Sequence, residues 1–236
     1  DEFRDIIKAG GFNETGRGFI TKKSTDGMRL FCNVTGDPLS NYHADDPGDN
    51  LNYIVCHDGL TLHDTVVHNL RLDEKKDRAE IINRLKLGNF MVLTSQGLAF
   101  LHSGQECGRT KPNIRGVKNE TIGNFVRNSY DSSDNINQFV WTLDEDYESL
   151  RKYTAGLIEI RKANSVFRVG DAKKIRKNFK SLNLEDSAGL LFGYVAKEGK
   201  NRWFVLVNAG MKSAEINVGV FLDNGVILID NETADN

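Results

Sequence analysis

His57 and Asp58 directly follow the apolar, β-branched run Leu51-Asn52-Tyr53-Ile54-Val55-Cys56, and Gln105-Glu106 come shortly after a second run, Leu98-Ala99-Phe100-Leu101-His102. Polar side chains at the C-terminal ends of parallel strands are where α/β folds build active sites, because those ends open onto one face. A structural reading competes at every one of these positions. A strand-end aspartate commonly caps the next helix, and Glu106 can pair with Arg109. The Asn and Asp residues between 119 and 137 can be turn formers, with Tyr130 and Trp141 as loop anchors. A metal reading also exists, since His57, Asp58, His63, Asp64 and His68 fall within twelve residues. Asp64 and His68, spaced i,i+4, would share a helix face. His63 and His68 are five apart and diverge, and no second cluster completes a shell, so no metal site is assigned.

The elements that must hold these residues follow from periodicity. Phe3, Ile6 and Ile7 mark a helix over residues 1–9, stopped by Gly10-Gly11. Residues 11–50 are rich in Gly, Asn, Asp and Thr and read as a long irregular stretch with one short helix. Leu51–Cys56 reads as a buried strand, then a helix over Thr61–Asn69 and a longer one over Asp73–Ser95. Gly97 precedes a second buried strand, Leu98–His102. Strand, helix and buried strand in this order point to a parallel sheet. Residues 104–141 form a second irregular region, and a helix follows over 146–163. Beyond residue 164 the strand-like segments Gly189–Ala196, Arg202–Asn208 and Ala214–Val220, separated by turn signals, indicate an antiparallel β-module. The domain boundary is placed near residue 165.

Length and charge narrow the classes. The chain has 236 residues, with 31 Lys+Arg against 33 Asp+Glu and a net charge of −2 spread without blocks. That balance argues against nucleic acid or an anionic membrane as partner. No apolar run approaches the roughly 18 residues of a membrane span. Cys32, Cys56 and Cys107 form no CxxC, which argues against a disulfide framework or a cysteine zinc site and favours a reducing compartment such as the cytoplasm.

Three segments carry a resemblance. Leu51-Asn52-Tyr53-Ile54-Val55-Cys56-His57-Asp58-Gly59-Leu60-Thr61-Leu62 resembles the seventh-strand motif of the α-amylase family of glycoside hydrolases. Gln96-Gly97-Leu98-Ala99-Phe100-Leu101-His102-Ser103-Gly104-Gln105-Glu106 resembles its eighth strand. Asn128-Ser129-Tyr130-Asp131, with Asp134-Asn135-Ile136-Asn137-Gln138 and Trp141, is similar to a loop of the debranching branch, especially type I pullulanases. Gly59 departs from the pattern. Pullulanases usually carry Asn there and Cys-His-Asp-Gly is more isoamylase-like, so pullulanase and isoamylase or glycogen-debranching specificity both stay open.

The resemblance implies an α/β architecture. Residues 1–164 would be the C-terminal part of a (β/α)8 TIM barrel, from after strand six through helix eight, and 165–236 a truncated antiparallel β-sandwich domain. It implies a retaining hydrolase of α-1,6 branch linkages in pullulan-, starch- or glycogen-type glucans. Asp58 would be the third catalytic carboxylate and His57 a contact to the same sugar. Arg109, Asn128, Tyr130 and Asp134 would shape substrate subsites, and Glu106 would support the strand end. The nucleophile and general acid belong to strands four and five of that family, so the chain is expected to be an inactive C-terminal piece. A non-catalytic glucan-binding or assembly role is the alternative. No cofactor is implied beyond calcium, common in the family, for which no site is identified. The partner implied is an α-glucan, and unpaired strand edges would favour self-association.

Overall fold

Several helices start at a residue whose side chain caps the first turn. The computed structural model describes residues 1–39, 43–114, 120–184, 188–218 and 225–235. Helix α1 (Glu2–Ile7) buries Phe3, Ile6 and Ile7, and α2 (Gly27–Val34) is the short helix expected in the irregular stretch. The Asp26 side chain caps α2 by accepting from the Met28 amide at 2.9 Å.

Strand β1 (Leu51–Asn52) leads through the His57-Asp58 turn into α3 (Leu62–Leu70), capped by Thr61, whose Oγ1 accepts from the Asp64 amide. Helix α4 (Arg78–Leu93) follows, then β2 (Leu98–Ala99), which pairs with β1 in parallel, Leu51 opposite Leu98 and Asn52 opposite Ala99. The expected parallel pair is present, but the ladder is shorter than the apolar runs Leu51–Cys56 and Leu98–His102. Among the described residues β1 and β2 have only each other as sheet partners, so nothing extends them. Leu51 and Leu98 are exposed rather than buried for the same reason, while Ile54 and Val55 turn into the core. Helix α4 begins five residues later than its pattern suggests. Asp73 accepts from the amides of Lys75 and Lys76, and Asp77 from the amide of Asp73, a side-chain-held turn that competes with helix.

A short antiparallel pair, β3 (Thr121–Ile122) and β4 (Phe125–Val126), and the four-residue α5 (Asp134–Asn137) lie in the second irregular region. Helix α6 (Glu145–Ala163) is capped by Asp144, with Glu145, Asp146 and Glu148 in its first turn and Arg161 and Lys162 in its last, matching the helix dipole. It packs on α4, where Asn89 Nδ2 donates to Thr154 Oγ1 at 2.9 Å. The Arg161 guanidinium donates to the carbonyls of Leu93, Ser95 and Gly97, fixing the passage from α4 into β2.

The last layer is an antiparallel sheet. It orders β5 (Phe179–Ser181), β6 (Leu191–Glu198) and β7 (Asn201–Asn208), with β5 preceded by α7 (Ala172–Asn178). The β6–β7 hairpin turns at Gly199-Lys200, as read from the sequence. The third strand is not Ala214–Val220, whose described residues 214–218 carry no strand and whose residues 219–220 lie outside the described set. Phe179–Ser181 takes that role because Phe179 stacks on Tyr194 of β6, with ring centroids 5.9 Å apart. The apolar core is continuous across residue 165: Phe19 meets Phe192, Tyr194 donates to the Thr94 carbonyl, and Arg84 donates to the carbonyls of Ile20 and Ala209. The described architecture is thus mixed helix and strand, and no closed barrel forms among the described residues. No helix among them is long and apolar enough to cross a membrane.

Candidate functional site

The chain leaves β1, passes two buried apolar residues and emerges at Cys56-His57-Asp58. The side chains of His57 and Asp58 are 76% and 69% exposed, with Nε2 and Oδ2 3.3 Å apart. Cys56 Sγ lies 3.7 Å from the Asp58 carbonyl, folding the thiol back over the turn. Gly59 has φ +76°, a left-handed conformation, and a Cβ there would meet Glu14 Oε1 at 2.5 Å.

The two peptides after Asp58 are held by buried charge. Glu14 Oε1 accepts from the Leu60 amide at 2.7 Å, and Lys8 Nζ donates to the Leu60 carbonyl at 3.0 Å. Lys111 Nζ donates to the Gly59 carbonyl at 2.5 Å and to that of Arg127 at 2.8 Å. Asp64 anchors Lys111 in turn, accepting from its amide at 2.9 Å and from Thr110 Oγ1 at 2.5 Å. Lys8 and Glu14 form an ion pair at 3.7 Å, and Arg127 Nε reaches the other Glu14 oxygen at 3.2 Å. Burial pushes the Lys8 amine down to about 8, with Glu14 pulling the other way, and lowers Lys111, opposed by Asp64.

Beside this turn a cavity of about 90 Å3 is lined by Cys56, His57, Thr61, His102, Arg109, Lys111, Ser129, Tyr130 and Asn137. It brings together three of the residues singled out in the sequence, His57, Arg109 and Tyr130. Asp58 adjoins it through the His57 contact. Arg109 does not form the pair with Glu106 that the sequence offered as a structural alternative. Its guanidinium donates to the carbonyls of Ser103 and Asn137, because Gly104 lets the arginine stem lie against the backbone, while Glu106 Oε2 accepts from the Gly104 amide. Asn137 Nδ2 donates to the carbonyls of Ser129 and Ser132, so Arg109 and Asn137 together pin the turn that carries the exposed Tyr130. Asn128 is half-buried beside this turn and Asp134 is exposed at the start of α5; neither lines the cavity. Residues 115–119 of the same loop lie outside the described set.

His102 was missed as a site residue, although it ends the second apolar run. Burial first, then Arg109, Lys111 and His57, lower its pKa, so its imidazole is neutral near pH 7. Lys8, Glu14 and Lys111 gave no signal at all, since they meet the turn from positions about fifty residues away. The five ligands of the metal reading separate. His63 and Asp64 are buried, and the Asp64 carboxylate is used by Thr110 and Lys111, whereas His68 lies against Gly123. His57 and Asp58 stay together, joined by Cys56, their nearest ligand atoms all within 4.8 Å of one another. A larger cavity, about 530 Å3 between α4, α6 and β7, is lined by none of the residues singled out in the sequence.

No family model matches the chain. Over 273 residues it is 34% identical to Pullulanase A of Streptococcus pneumoniae, an alignment covering 99% of this chain and 22% of that protein. The catalytic module of the multi-modular glycogen-degrading pneumococcal virulence factor SpuA, in complex with an inhibitor, matches with a TM-score of 0.91 at 33% identity. That match covers 100% of this chain and 39% of the module. Group B Streptococcus pullulanase SAP, in complex with maltotetraose, matches with a TM-score of 0.89 at 32% identity, covering 100% of this chain and 34% of that one. The chain spans about a fifth of the length of the curated relative.

Proposed function

The chain belongs to the pullulanase family, and on that footing we propose that it forms part of a retaining glycoside hydrolase that cleaves α-1,6 branch linkages in pullulan-, starch- or glycogen-type glucans. Residues 1–164 are read as the last strands and helices of a (β/α)8 barrel and 165–236 as the start of a β-sandwich. The parallel β1–β2 pair with α3 and α4 between its strands, and the antiparallel β5–β6–β7 sheet, support that reading.

The observation that carries the proposal is the exposed Asp58–His57 pair in the turn that follows β1, beside a cavity lined by Arg109 and Tyr130. Asp58 accepts hydrogen bonds from hydroxyls of the sugar next to the scissile bond, and His57 donates to the same sugar. Such bonds accelerate the reaction to the extent that they strengthen as oxocarbenium character develops. Lys8, Glu14 and Lys111 hold the peptides behind Asp58, so its carboxylate is placed before substrate arrives. Arg109 and Asn137 set the Tyr130 turn, whose ring offers an apolar face to a sugar. Retaining hydrolysis also uses a nucleophile and a general acid about 5–5.5 Å apart. In this reading those two carboxyls come from elsewhere in the enzyme, and Asn128 and Asp134 contribute to outer subsites.

Calorimetry of maltotetraose against this chain tests the assignment. Binding that weakens about tenfold in both Asp58→Asn and His57→Ala is expected, and binding unchanged in both variants would overturn it. Reducing-sugar release from pullulan gives the second readout. None is expected from this chain. Release that Asp58→Asn abolishes would mean that the chain assembles a complete carboxylate pair of its own.

A further inference from the structure

We propose that Cys56, His57 and Asp58 form a binding site for a thiophilic divalent cation, zinc above all, and that the cation reversibly blocks Asp58. One sulfur, one imidazole nitrogen and one carboxylate oxygen, all within 4.8 Å of one another, converge from three consecutive residues. A tetrahedral zinc ion with Zn–N and Zn–O bonds of about 2.0–2.2 Å separates those two ligand atoms by about 3.3–3.5 Å. His57 Nε2 and Asp58 Oδ2 already stand 3.3 Å apart. The sulfur belongs about 3.5–3.7 Å from each, a closure on the order of 1 Å for the Cys56 side chain.

The chain that follows these ligands is already restrained. Gly59 and Leu60 are fastened by Lys111, Glu14 and Lys8, which lowers the backbone entropy lost on the C-terminal side when the chelate closes. The ligand set also discriminates. A thiolate with an imidazole suits zinc, whereas calcium and magnesium require oxygen ligands. On binding, the Cys56 thiol gives its proton to solvent, and thiolate and carboxylate together neutralise the ion. Three protein ligands leave the fourth position to water. Arg109 and Lys111 lie on the same cavity, and their positive charges oppose cation binding there.

The metal site stands on its own geometry; its blocking effect rests on the role given to Asp58 above. Cobalt titration of the full chain tests the site directly, because a thiolate-to-cobalt charge-transfer band in the near ultraviolet reports sulfur ligation. One equivalent of band is expected, displaced by zinc and untouched by excess calcium. It should be lost in Cys56→Ser, weakened about tenfold or more in His57→Ala, and retained in Cys32→Ser and Cys107→Ser. Absence of the band, or a band that survives Cys56→Ser, would overturn the site. Calorimetry with maltotetraose then addresses the block. Sugar binding lost on zinc loading and restored by chelator supports it. Undiminished sugar binding by the zinc-loaded chain would overturn the block while leaving the metal site in place. A chain that binds cobalt as described but no maltotetraose would instead count against the glucan reading.

Discussion

Lys8 is fully buried behind the Asp58 turn, so its proton should be visible in the stability of the whole chain. Its folded pKa is about 8 against an ordinary value of 10.5. Between those values the unfolded chain holds a proton that the folded chain has released. Stability attributable to Lys8 therefore rises with pH through that window, and the cost of burying the ammonium is greatest below about pH 8. At 1.36 kcal/mol per unit, the shift corresponds to about 3 kcal/mol, of which about 2–3 kcal/mol is recovered between about pH 7 and pH 10. Other groups titrate in the same range; burial lowers Lys111 and Lys86 and raises Cys107. The clean quantity is thus the difference between the wild-type chain and Lys8→Met. Met keeps the apolar stem and abolishes the titration, at the cost of leaving the buried Leu60 carbonyl without its donor, about 1–3 kcal/mol at every pH. Urea unfolding at the two pH values should show wild type gaining about 2–3 kcal/mol on Lys8→Met as pH rises. A difference that stays constant with pH would refute the reasoning and mean that Lys8 keeps its charge through Glu14.

Three further perturbations probe the same framework. Asp64→Asn leaves the Lys111 amide and Thr110 hydroxyl with a weaker partner in a buried site, and urea unfolding should show a loss of about 2–4 kcal/mol. Gly59→Asn introduces a Cβ at 2.5 Å from Glu14 Oε1 at a left-handed residue; urea unfolding should show about 1–3 kcal/mol of destabilisation, and a smaller cost when the same substitution is made in a Glu14→Ala background. Tyr194→Phe removes the hydroxyl that donates to the Thr94 carbonyl across the core and should lower stability by about 1 kcal/mol, read from the shift in thermal midpoint.

The parts of the fold that were legible share a short range. Helices α3 and α6 fall within a residue of the segments Thr61–Asn69 and 146–163 read from the sequence. The β6–β7 hairpin was readable because Glu198-Gly199-Lys200 names its turn. By contrast, β5 is three residues long and is a strand only because β6 pairs with it and Tyr194 stacks on Phe179. The extended runs after Asn52 and Ala99 stop short of full strands because a ladder needs a second chain segment, and apolar character cannot report whether one is there.

The same division runs through the site. Sequence alone placed His57 and Asp58 after an apolar, strand-like run, of which only Leu51 and Asn52 form strand, placed Arg109 and Tyr130 in a loop over the same face, and showed which family the motifs resemble. Those facts depend on residue types at fixed spacing. Only the tertiary structure decided that Glu106 turns to the Gly104 amide instead of Arg109, and that Lys8, Glu14 and Lys111 fasten the peptides behind Asp58. It also decided that Cys56 joins His57 and Asp58 while His63 and Asp64 are drawn away into the core. Periodicity encodes which face of an element is buried, whereas a buried charge finds its partner across some fifty residues through desolvation, which acts only once the chain has closed around it.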